Sequence, residues 1–159
     1  MITVKLLGLT FLASASLTST ALAQHIQDGG RRFSTPMSGL EEVSAAFPNG
    51  GAGDPDGSGT GIITVNAGQR RVCWEFTVAN IIAPNRGHIH KQVALMNGPI
   101  VVDFFNVPPD PAAPLTGCTP ETLDRELLND IIQHPSEYYL NLHNSDFPAG
   151  AIRGQLEKK

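Results

Sequence analysis

The feature that most constrains this chain is the run from Ile62 to Val78, where side chains alternate with a period of two on either side of a short turn. Ile62, Thr64 and Asn66 fall on one side against Ile63, Val65 and Ala67. After Ala67-Gly68-Gln69 the chain returns with Val72, Trp74, Phe76 and Val78 on one side and Cys73, Glu75 and Thr77 on the other. Successive side chains of a strand point to opposite faces, so this pattern buries one face of a β-hairpin. Further candidate strands cover residues 33–42, 87–92, 100–105, 137–144 and 151–157. Residues 47–61, dense in Gly, Pro, Asp and Asn, read as a long loop with a mobile tip. Short strands at fairly regular spacing point to an all-β fold, a sandwich or Greek-key barrel. One segment breaks the pattern. Thr119-Pro120 offers a cap followed by an N1 proline, and Leu123, Leu127, Leu128, Ile131 and Ile132 recur at helical spacing, which predicts one inserted helix over residues 120–133, stopped before Pro135.

The first residues follow a different logic. Lys5, an apolar stretch over residues 6–13 and then Ala21-Leu22-Ala23 form the pattern of a secretory signal peptide, residues 1–23, cleaved after Ala23. The stretch is too short to span a bilayer, which takes about 20 apolar residues. Residues 24–32 are polar and read as a flexible arm, leaving residues 33–158 as one domain of ordinary size. The expected location is secreted or periplasmic, with no membrane span. The formal net charge of -4 argues against a nucleic-acid partner held by charge. In an oxidising compartment Cys73 and Cys118 are expected to form a disulfide, worth roughly 2–4 kcal/mol for a loop of this length. Two thiolate metal ligands are the lesser alternative, since the spacing matches no CxxC-type site.

Several blocks occur in a recognisable order: Met37-Ser38-Gly39-Leu40-Glu41-Glu42-Val43, Gly59-Thr60-Gly61, Gly87-His88-Ile89-His90, Asn97-Gly98-Pro99-Ile100-Val101-Val102 and Tyr139-Leu140-Asn141-Leu142-His143-Asn144. With the closing run from Phe147 to Leu156, they resemble the chordin-type (CHRD) domain family over nearly the whole mature chain. The chain departs from the family pattern at Ser44-Ala45-Ala46, where prolines are common, and at Lys91-Gln92-Val93, where a Gly-rich turn is common. The resemblance implies an immunoglobulin-like or superoxide-dismutase-like Greek-key β-sandwich. It carries no chemistry by itself, because function resides in sites and not in folds.

The candidate chemistry lies in the histidines. His88 and His90 are two apart on a predicted strand, so both imidazoles project from one face and can share an ion. His143, on the Tyr139-Asn141-His143 face of a later strand, is the best third ligand. Neutral imidazoles suit copper, and zinc second. An H-x-H strand with a distant histidine and a late arginine is similar to the copper side of copper/zinc superoxide dismutase, where Arg153 would steer an anion. Its other reading is a structural fork on carbonyls or on a carboxylate such as Asp103. Glu42 is a direct or outer-sphere oxygen donor, or else an exposed charge at a strand end. His134 is a helix-end cation or a fourth donor, and His25 chelates copper only if cleavage frees it as the N-terminus. Three functions follow: metal binding through His88, His90 and His143, a copper-dependent dismutase-like activity, and a metal-free extracellular interaction or adhesion module. There is no G-x-S-x-G element, HExxH helix or Gly-rich phosphate loop.

Overall fold

The computed structural model describes residues 29–106 and 114–158; the expected signal peptide and His25 lie outside the described residues. Eight strands form in chain order: β1 (Arg31–Ser38), β2 (Ser58–Asn66), β3 (Arg71–Ala79), β4 (Arg86–Lys91), β5 (Ile100–Phe105), β6 (Thr116–Cys118), β7 (Tyr138–His143) and β8 (Ile152–Gln155), with the helix α1 (Arg125–Gln133) between β6 and β7. They pair antiparallel in the order β5-β4-β7-β8-β1-β2-β3-β6. The all-β fold is as expected, but its layers belong to one continuous sheet curled back on itself. Trp74 and Phe76 of β3 meet Phe104 of β5, near the other end of the strand order, with ring centroids 5.0 and 5.6 Å apart. Aromatic burial between distant strands thus closes the core.

The β2–β3 hairpin forms as its alternation requires. Ile63 and Val65 pair with Trp74 and Val72, and Ile63, Val65 and Val72 are fully buried. Asn66 tightens the turn by accepting from the Gln69 N–H at 2.9 Å. Cys73 lies directly opposite Cys118 in the β3–β6 ladder, their sulfurs at disulfide distance.

Three local expectations are corrected. The first strand starts at Arg31, and Gly39–Glu41 turns into a 3-10 helix, with the Ser38 hydroxyl accepting from the Leu40 N–H, so Glu42 does not lie on a strand. The helix starts at Arg125 and not at Pro120, because Asp124 supplies the cap to the Glu126 N–H. Thr119 is already engaged: its N–H donates to the Val72 carbonyl, and its hydroxyl accepts from the Val72 N–H. The turn-rich segment ends at Gly57 and not at Gly61. Gly51 N–H donates to Leu40 O, Ala52 N–H to Glu42 O and Asp54 N–H to Ala151 O, while residues from Ser58 already belong to β2.

This lacing matters because it covers the second face of the sheet. On β4, β7 and β8 the inner face carries Ile89, Leu140, Leu142 and Ile152, all fully buried. The outer face carries His88, His90, Tyr139, Asn141, His143 and Arg153, which are also buried. The loops after β1, after β4 and after β7 reach over it. Asn97 Nδ2 donates to Val43 O between the first two of these loops, and the Gly98 and Pro148 carbonyls contact the histidines. Both tyrosines of β7 are therefore buried, Tyr138 inward and Tyr139 under the loops, where alternation alone leaves room for one in the core.

Candidate metal centre

His88 and His90 project from β4, which pairs with β7, and His143 ends β7 opposite Arg86. The three side chains form one buried group in which one ring nitrogen from each lies within 4.8 Å of the others. Burial keeps all three below the ordinary histidine range. For His88 the neighbouring Asp103 partly opposes the effect, and His143 is pushed down to about 4, with His88 adding to the burial. The imidazoles are therefore neutral at neutral pH, and each has one N–H and one lone pair.

The partners decide which nitrogen carries the proton. His88 Nε2 lies 3.0 Å from Asp103 Oδ1, His90 Nδ1 lies 2.9 Å from Gly98 O, and His143 Nδ1 lies 3.2 Å from Pro148 O. A carboxylate and two carbonyls can only accept, so those three nitrogens donate. The remaining His88 Nδ1, His90 Nε2 and His143 Nε2 carry lone pairs. His90 Nε2 is buried without a hydrogen-bond partner among the described residues. His88 Nδ1 and His143 Nε2 stand 3.0 Å apart. In these tautomers that contact is two lone pairs with no proton between them, an arrangement that a shared cation would relieve. Imidazoles oriented through their far nitrogens by a carboxylate and carbonyls are the usual support for a metal ligand.

The other expected residues take different places. Glu42 is neither at a strand end nor exposed: it is 2% exposed, and Arg153 donates to its Oε2 from Nε at 3.1 Å and from a terminal nitrogen at 3.0 Å. Burial pushes the Glu42 carboxyl up to about 7, against the opposing pull of Arg153. Arg153 also donates to Met96 O and to Asn97 Oδ1 and lies over the Tyr139 ring, 4.1 Å from its centroid. That ring stacks on His90 at 4.8 Å, so the ion pair stands one side chain away from the histidines. His134 is on the opposite side of β7, exposed, with Nδ1 2.8 Å from Asp130 Oδ1. Asp103, weighed only as a partner for Arg153, instead pairs with His88. Its signal was legible: it is the one charge in Ile100–Phe105, between Val102 and Phe104, and so points away from the core. The roles of the Gly98 and Pro148 carbonyls have no sequence signal.

The model of the CHRD domain family matches residues 33–156. No curated protein and no solved structure matches the chain.

Proposed function

The chain belongs to the CHRD domain family, and we propose that it is an exported protein, secreted or periplasmic, that binds one transition-metal ion through His88, His90 and His143. The observation that carries this reading is the gathering of three buried imidazoles, with His88 Nδ1 and His143 Nε2 3.0 Å apart and His90 Nε2 buried without a partner among the described residues. Asp103, Gly98 O and Pro148 O hold the opposite nitrogens, and the ligands have no proton to give each other. Copper is favoured over zinc. Imidazole suits both, and copper stands higher in the affinity order. The paired cysteines agree with an oxidising compartment. A bound ion would supply Lewis acidity or a redox centre, while the protein holds the ligands neutral and covered by loops.

The dismutase-like reading gains less support. Its anion guide, Arg153, is tied to Glu42, Met96 O and Asn97, and it stacks on Tyr139. Isothermal titration of the metal-free mature protein with Cu(II) and Zn(II), repeated on the His88→Ala, His90→Ala, His143→Ala variant, tests the proposal. One-to-one binding in the wild type, lost in the variant, is expected. No binding in the wild type would overturn it and favour the interaction module.

A further inference from the structure

Resting on the three-histidine reading, we infer that the carboxamide oxygen of Asn141 is a fourth donor to the same ion. Asn141 sits in the middle of the outer face. It is directly opposite His88 on one side and Arg153 on the other, with Tyr139 and His143 flanking it along β7. Directly opposed residues of an antiparallel pair have Cβ atoms about 5 Å apart, so the short Asn141 side chain rises beside that of His88. The side chain is 1% exposed, and its Oδ1 has no hydrogen-bond partner among the described residues. Buried polar atoms are nearly always partnered, so an orphaned one calls for an unseen group.

The choice of nitrogen on His88 favours a short side chain opposite it as the next donor. With Nε2 given to Asp103, His88 binds through Nδ1, the nitrogen nearer its own backbone. An ion held there would sit nearer the sheet than one held at Nε2, and the short side chain of Asn141, opposite His88 and with its oxygen unpartnered among the described residues, would be placed to meet it. Glu42, the acidic residue expected near the site, stands further off: Arg153 holds its Oε2 and lies over Tyr139, and the Tyr139 ring in turn separates that ion pair from His90. A neutral amide oxygen completes an N3O donor set without adding charge to a covered pocket. That set discriminates against soft, thiolate-seeking ions.

The test is Cu(II) titration and Cu(II) electron paramagnetic resonance on the mature wild type, Asn141→Leu and Asn141→Asp. We expect Asn141→Leu, similar in size, to weaken Cu(II) roughly 10- to 100-fold and to change the copper hyperfine splitting. Asn141→Asp keeps an oxygen and adds charge, so it should bind at least as tightly as wild type, with a shifted spectrum. Wild-type affinity and an unchanged spectrum in Asn141→Leu would overturn the assignment while leaving the three-histidine site intact. Failure of the wild type itself to take up Cu(II) would remove both. Should circular dichroism show that Asn141→Leu does not fold, Asn141→Asp decides: an unaltered spectrum counts against the inference.

Discussion

Tyr138 and Tyr139 are neighbours on β7, and each faces a different polar cluster. On the Tyr138 side, Asp130 of α1 collects donors: its carboxylate accepts from Lys91 Nζ at 2.7 Å, from His134 Nδ1 at 2.8 Å and from the Tyr138 hydroxyl. On the Tyr139 side, three imidazoles gather with His88 Nδ1 and His143 Nε2 in contact, and His90 Nε2, Asn141 Oδ1 and Glu42 Oε1 are buried with no partner among the described residues. The first cluster is saturated and ties the helix to the sheet. In the second, Arg153 meets Glu42 Oε2 alone, and the acceptors on the histidines, Asn141 and Glu42 Oε1 exceed the donors the described residues supply. Opposite donor balance, on two faces of one strand, separates a structural contact from a site that calls for a ligand.

Removing a charge on the unsaturated side should have the largest effect. Arg153→Met removes the donor of Glu42, Met96 O and Asn97, and the Glu42 carboxyl, already pushed up to about 7 with Arg153 beside it, takes up a proton at neutral pH. Urea unfolding should show a loss of about 1–3 kcal/mol from the buried acceptors left without a donor. The gap from wild type should widen above pH 7, where wild-type Glu42 ionises against Arg153 and the variant's carboxyl has no such partner. A cost below about 1 kcal/mol would mean that the outer face is wetter than its burial indicates, and it would weaken the contrast between the two faces.

A smaller effect is expected one step out from the ion. Asp103→Asn can still meet the His88 ring, but it no longer forces the proton onto Nε2, so the lone pair on Nδ1 is no longer assured. Cu(II) affinity should fall by roughly 10-fold, the lower end of the usual range for such partners, because Asp103 is itself 68% exposed. Titration calorimetry would read this directly. An unchanged affinity would show that Gly98 and Pro148 suffice to orient the set.

What was legible in the sequence follows from the same two-sidedness. Alternation identified the β2–β3 hairpin and put His88 and His90 on one face, because period two is a local property of the strand. It could not show what covers that face. Glu42, Tyr139 and Arg153 are buried because loops from three places close over them, and such closure depends on contacts between residues far apart in the chain, such as Asp54 with Ala151. The helix start was misplaced for a related reason: Thr119 has the right chemistry for a cap, but the ladder with Val72 takes both of its polar groups first. Asp103 had a readable direction and no readable partner until β5 was placed beside β4.

The smallest effect belongs to the saturated cluster, and its sign distinguishes it from the site. The hydrogen bond from Lys91 above all, then those from Tyr138 and His134, hold the Asp130 carboxyl well below the usual carboxylate range. A group whose pKa is depressed on folding stabilises the folded state above its unfolded pKa, here about 4, and loses that contribution as pH falls toward the folded value. Asp130→Asn should therefore lower urea-unfolding stability modestly at pH 7, and the gap from wild type should narrow steadily below about pH 4. The exposed setting keeps the effect small. Cu(II) affinity should stay at the wild-type value, because Asp130 stands on the far side of β7 from the histidines. A variant that lost copper binding together with stability would show that the two faces of β7 are coupled, and the helix would then have to be counted as part of the metal centre.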